Sequence, residues 1–257
     1  MTDASTQAKT IDQTVLDKLW NFADPQLSAE RFRDGKDDAS YSEEARAELA
    51  TQLARALGLQ GRFDDGDAVL DAIQSDSHVV AARIALERGR LRNAEKKPDE
   101  AVPLFTKAAR EAASGDVSFL VLDALHMLAI TDTGHEEEWS EEGLAVLDKA
   151  TQPRTRRWGV ALHNNLAWHL HDTGRPDEAL PHFEQALEFA RTVGTSDQRF
   201  LARWAIARCL RTLGRNDEAL ALQQSLAEKR PDDRYVAAEI AVLTAERPSE
   251  DTSTIEA

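Results

Sequence analysis

The residues best suited to chemistry in this chain fall at helical spacing, not in the tight clusters that catalysis needs. Asn164, Trp168 and His171 stand at i, i+4 and i+7, so on a helix they share one face. Trp204, Arg208 and Arg211 repeat that spacing, and Asn165 sits beside Asn164. The chemistry these types offer is recognition. Arginine presents a forked, permanently charged donor set that matches a carboxylate. Asparagine can donate to and accept from a peptide backbone. Tryptophan supplies an apolar anchor. The same residues also fit a plainer arrangement, a solvated Arg/Glu face with tryptophans packed between helices.

Other candidates resolve into structural roles. His163, His169 and His171 lie close in sequence. On a helix, however, His169 and His171 point about 200° apart, and His163 is not four residues from either. No HExxH pattern is present, so no metal site is expected. Cys209, the single cysteine, lies beside an apolar stripe and is expected to be buried packing, not a nucleophile. Asp64, Asp65 and Asp67 around Gly66 lack the alternating ligands of a calcium loop and read as acids at a helix start. Neither GxGxxG, a P-loop nor GxSxG occurs. The expectation is a non-enzyme with no cofactor.

Composition sets the frame for these residues. The chain has 257 residues, 42% hydrophobic and 30% charged, with 12 Gly and 8 Pro among long Ala/Leu/Glu/Arg stretches, which favours helix throughout. A net charge of −15 disfavours nucleic acid and an anionic membrane surface as partners. One cysteine leaves no intrachain disulfide framework. The N-terminus shows no apolar stretch of signal-peptide length, and no run approaches the roughly 20 apolar residues of a membrane span. A cytoplasmic protein is expected.

The elements that position the candidates are repeated. Gly174-Arg175-Pro176-Asp177-Glu178-Ala179-Leu180 is nearly restated as Gly214-Arg215-Asn216-Asp217-Glu218-Ala219-Leu220, 40 residues later. Upstream, Leu162, Leu166, Ala167 and Leu170 correspond to Ala202, Ile206, Ala207 and Leu210, one apolar helical stripe. The following helices carry Ala179, Phe183, Ala186 and Leu187, then Ala219, Leu222, Leu226 and Ala227. Fainter copies begin at Gly61, Lys97 and Trp139, and the copy at 122–151 carries an acidic insertion, His135-Glu136-Glu137-Glu138.

This pattern of small residue, glycine, aromatic and alanine resembles the tetratricopeptide repeat, most closely over 160–193 and 200–233, with Pro231 at the late proline position. The resemblance implies an all-α, right-handed α-solenoid of about five helix pairs over 45–233. Capping helices are expected at 10–44 and 234–246, and disordered tails at 1–9 and 247–257. It also implies that the first helix of each pair lines a peptide-binding groove. Read onto this chain, that groove comprises Arg83, Arg90, His126, Asn164, Asn165, Trp168, His171, Trp204, Arg208 and Arg211. Gln52, Arg55, Glu87, Asn93, Asp123 and Met127 fall at matching positions. Some relatives hold a peptide C-terminus with a Lys/Asn/Asn/Lys/Arg clamp. Asn165 sits at one such position, but Thr51, Leu86 and Leu201 replace the clamp lysines, so that clamp is not expected. The implied function is a scaffold or adaptor that binds a protein or an acidic, extended peptide. The alternative from another class is a sensor of a small anionic metabolite or signal peptide, and homo-oligomerisation is left open.

Overall fold

Short polar turns divide the chain into helices, and the turn chemistry shows why each helix begins and ends where it does. The computed structural model describes residues 8–245. In chain order the helices are α1 (Gln13–Leu19), α2 (Pro25–Asp37), α3 (Glu43–Gly58), α4 (Phe63–Asp71), α5 (His78–Ala94), α6 (Pro98–Ser114), α7 (Ser118–Thr131) and α8 (Glu136–Lys149). They continue with α9 (Pro153–Arg156), α10 (Trp158–Asp172), α11 (Pro176–Thr192), α12 (Ser196–Thr212), α13 (Asn216–Ala227) and α14 (Arg234–Ala245). Pro98 and Pro176 open α6 and α11, where a missing N–H costs nothing, and acids fill the next two positions. At the other end, Gly174 and Gly214 adopt φ of +83° and +73°. Each forms a Schellman closure: Gly174 N–H donates to His171 and Arg175 N–H to Leu170, and the second turn repeats this with Arg211 and Leu210. The turn after α5 uses the same two bonds with Lys96 at φ +63°, a left-handed residue that costs about 1 kcal/mol more than glycine there.

The chain forms two units, Met1–Ala150 and Thr151–Ala257. In the first, α3–α4, α5–α6 and α7–α8 are stacked helix pairs, with α2 packed on α3. Its core joins Ala82, Ala85 and Leu86 of α5 to Ala101, Phe105 and Ala108 of α6 and to Leu120, Ala124 and Leu128 of α7. A second cluster joins Leu16 and Phe32 to Leu49 and Leu53, so the N-terminal helices cover the first pair. In the second unit, α10–α11 and α12–α13 are the pairs and α14 packs on α13. Both apolar stripes read from the repeat are buried there.

Three details depart from the sequence reading. The acids at 136–138 are not an insertion in a connection; they are the first turn of α8, where the helix dipole favours them. Gln223, not Leu222, takes the position equivalent to Phe183 and is fully buried, with neither amide atom hydrogen-bonded. Lys9, placed in the N-terminal tail, pairs with the chain around Tyr41: its N–H donates to Ser40 and its carbonyl accepts from Ser42 N–H. The tail assigned to 247–257 lies outside the described residues.

Candidate functional site

In the second unit, the first helices of the pairs, together with α14, bring aromatic rings into a ladder. Trp168 on α10 lies 6.2 Å from Trp204 on α12, centroid to centroid, and Trp204 lies 6.4 Å from Tyr235 on α14. Trp168 is fixed from below by Phe183, edge to face at 4.9 Å, and from the side by His171 at 5.3 Å. His171 in turn bonds Thr212 through Nε2 at 2.8 Å, tying α10 to α12. Tyr235 is 58% exposed, so the ladder opens to solvent at α14.

Polar groups flank the ladder unequally. Asn164 is half-buried, and its side-chain amide makes no hydrogen bond to any described residue. Asn165, next to it, is half-buried and engaged within the fold. Arg208 and Arg211 both reach Glu239 of α14, at 3.1 and 2.8 Å. Two guanidiniums thus share one carboxylate, and positive charge remains in surplus beside the aromatic rings.

The first unit places its predicted residues differently. Arg83 is 6% exposed; its Nε donates to Glu48 at 2.7 Å and its Nη2 to Gln13. Burial raises the Glu48 carboxyl above its ordinary pKa even with Arg83 opposing the shift. Arg90 bonds Glu87 at 2.6 Å and also Asp123, both buried. Burial works against the charged form of Arg90, but Asp123 and Glu87 more than reverse it and raise its pKa. Burial likewise works to raise Asp123, and Arg90 and Arg55 outweigh it and hold that carboxyl low. Arg55 lies over the stacked rings of Trp20 and Phe22, at 5.4 and 5.6 Å, while Trp20 Nε1 donates to Gln52. Three arginines therefore face three carboxylates, Glu48, Glu87 and Asp123, and this face is charge-balanced.

His126 lies half-buried on α7 within that ionic cluster. Burial lowers its pKa below 6.5; Asp123 opposes this, and Arg90 and Arg55 reinforce it. The unfolded chain therefore takes up the proton first as pH falls, so His126 erodes stability below that point. The melting temperature should fall as the pH drops below about 6.5. His126→Gln should flatten that decline, and an unchanged slope in the variant would remove His126 as its source.

Cys209 is fully buried, donates to the Pro176 carbonyl at 3.3 Å and has its pKa raised by burial to about 11. That environment holds it as an inert thiol. Among the described residues, no group of three or more His, Cys, Asp or Glu is placed to hold a metal ion, and no helix is long and apolar enough to cross a membrane.

Sequence reasoning missed Glu239, Glu48 and Tyr235. A signal for the carboxylates was present. Glu48 and Arg83, Arg90 and Asp123, and Arg208 and Glu239 are opposite charges 35, 33 and 31 residues apart, roughly one repeat in each case.

Stacked helix pairs closed by glycine turns define a class, the helical-repeat proteins. Comparison with known families narrows it. Tetratricopeptide repeat models match residues 51–116 and 160–230, together more than half of the chain. The chain belongs to the tetratricopeptide-repeat family, and its fold is the all-α solenoid type of that family. Among solved structures it is similar to a Podosopora anserina protein named for kinesin light chain and built of nearly identical TPR-like repeats. Identity is 21% and the TM-score 0.53, over 79% of this chain and 98% of that one. A point variant of the same protein matches with 20% identity and a TM-score of 0.54, over 79% of this chain and 99% of that one. At these identities the likeness is one of fold. No curated protein sequence matches the chain.

Proposed function

We propose that this chain is a protein-interaction scaffold without catalytic activity, and that the α10–α12–α14 face holds an extended peptide. The family supports the scaffold role. The observation that carries the face is the Trp168–Trp204–Tyr235 ladder with the unbonded amide of Asn164 beside it. Aromatic rings fixed from below present apolar area at little ordering cost. A free asparagine amide offers both halves of a backbone hydrogen-bond pair. The surplus charge at Arg208 and Arg211 favours a peptide with a carboxylate beside its apolar anchor. Arg83, Arg90 and His126 lie in the first unit, where both arginines are paired with carboxylates, and they are not part of the proposed face. A cytoplasmic setting is part of this reading, because the fold needs no disulfide.

The double variant Asn164→Ala/Trp168→Ala tests the face. Proteins captured from the native cell by the wild-type chain should be lost from the variant, with the variant's folding confirmed by circular dichroism. Capture that survives undiminished would remove the face from the proposal.

A further inference from the structure

The other side of the second unit carries a groove with a different chemical character. It runs between α11 and α13 over the surface of α12 and encloses about 970 Å³. Five cations and two carboxylates line it, in a chain whose net charge is −15. Three of the cations meet no carboxylate. Arg199 donates to the backbone carbonyls of Ala190 and Gly194. Arg203 donates to the hydroxyl of Ser225 at 2.7 Å. Lys229 is exposed and has no partner among the described residues. The other two, Arg191 and Arg230, are paired with Glu188 and Asp197.

These contacts position charge without cancelling it. A guanidinium held by neutral acceptors is pre-oriented and keeps its full attraction for an anion. The floor is apolar, with Phe200, Ile206 and Leu226 among the lining residues, and the Arg230 guanidinium lies 4.0 Å over the Phe200 ring.

The corresponding grooves of the first unit lack this surplus. Between α4 and α6, Arg88 and Arg92 are matched by Asp67 and Asp71. Between α2 and α4, Lys36 is matched by Asp37 and Arg62 by Asp65, and only Arg33 is left over. Counted by lining side chains, the α11–α13 groove has three more cations than carboxylates, the α2–α4 groove one more, and the α4–α6 groove one fewer.

We infer that the α11–α13 groove is a second binding site, independent of the aromatic face, and that its ligand is an acidic peptide segment carrying an apolar side chain. The unpaired cations select the carboxylates, and the apolar floor takes the anchor. An inorganic anion would use the first feature and leave the second idle.

The test uses the full chain and a fluorescein-labelled peptide of about twelve residues, Glu- and Asp-rich with two leucines, followed by anisotropy. Arg203→Gln/Lys229→Gln should weaken binding at least about tenfold, since two charge-assisted contacts are removed. Lys229→Glu alone, at a side chain with no contact to lose, should also weaken it severalfold, which guards against a packing effect at Arg203. The same loss should appear when the groove changes are made in an Asn164→Ala/Trp168→Ala background, where the aromatic face no longer competes for the peptide. The inference is overturned if both groove variants bind as tightly as wild type. It is also overturned if a Gln/Asn version of the peptide binds equally well, or if millimolar inorganic phosphate displaces the peptide.

Discussion

Replacing Arg90 by alanine should destabilise the first unit by about 3–5 kcal/mol, because it strands two buried carboxylates. Arg90 is the common partner of Glu87, whose side chain is 1% exposed, and Asp123, whose side chain is 6% exposed. Neither can recover its hydration in place. The remaining cation, Arg55, stands 4.0 Å from Glu87, is itself partly buried, and has its pKa lowered by burial and by Arg90. It cannot take over both roles. A loss of this size corresponds to a fall of about 10 °C in melting temperature. The cause can be isolated with Arg90→Met/Glu87→Gln, which removes one charge of each sign, leaves Arg55 facing Asp123, and should regain a large part of the loss. Urea unfolding followed by far-ultraviolet circular dichroism measures both. A loss below about 1 kcal/mol in Arg90→Ala would show that the cluster is solvated, not buried.

Phe183→Ala should cost a similar amount, about 3–5 kcal/mol, in the second unit, for an unrelated reason. Phe183 is fully buried in α11 and its ring supports the Trp168 indole at 4.9 Å. Alanine leaves a cavity where a ring was, and the flanking Ala179 and Ala186 are too small to close it. The consequence reaches the candidate site. Trp168 loses the surface that fixes its orientation, so peptide capture at the α10–α12–α14 face should weaken along with stability. Phe183→Leu, which retains much of the volume, should keep most of both. Unaltered capture by a destabilised Phe183→Ala protein would mean that Trp168 needs no support to act, or does not act.

The contrast between these two predictions marks what could be read from the sequence. Phe183 was legible: a 40-residue echo fixes the helix register, and within a register the apolar stripe follows from periodicity. The turns were legible for the same kind of local reason, since Gly174 and Gly214 are where the backbone must turn left-handed. Arg90 was visible as a position on the right helix face, but its role was not. Its partner Asp123 lies 33 residues away on the next first helix, and a helical wheel of α5 contains no information about α7. The arginines therefore read as an open cationic groove, whereas Arg83 and Arg90 hold neighbouring helices together and only Arg208 and Arg211 retain charge to spare. Gln223 escaped notice because periodicity alone does not decide between adjacent positions, and leucine is the better apolar choice. The cations of the α11–α13 groove escaped because they come from α11, α12 and the turn after α13, none of which is conspicuously basic alone.

The central claim is that the α10–α12–α14 face carries a bound polypeptide. Site-specific photo-crosslinking tests it most directly. A benzophenone side chain placed at Asn164, where no hydrogen bond is lost, should crosslink in the native cell to a polypeptide that Trp168→Ala abolishes. A protein that captures its partner normally yet yields no crosslink from position 164 would contradict the account.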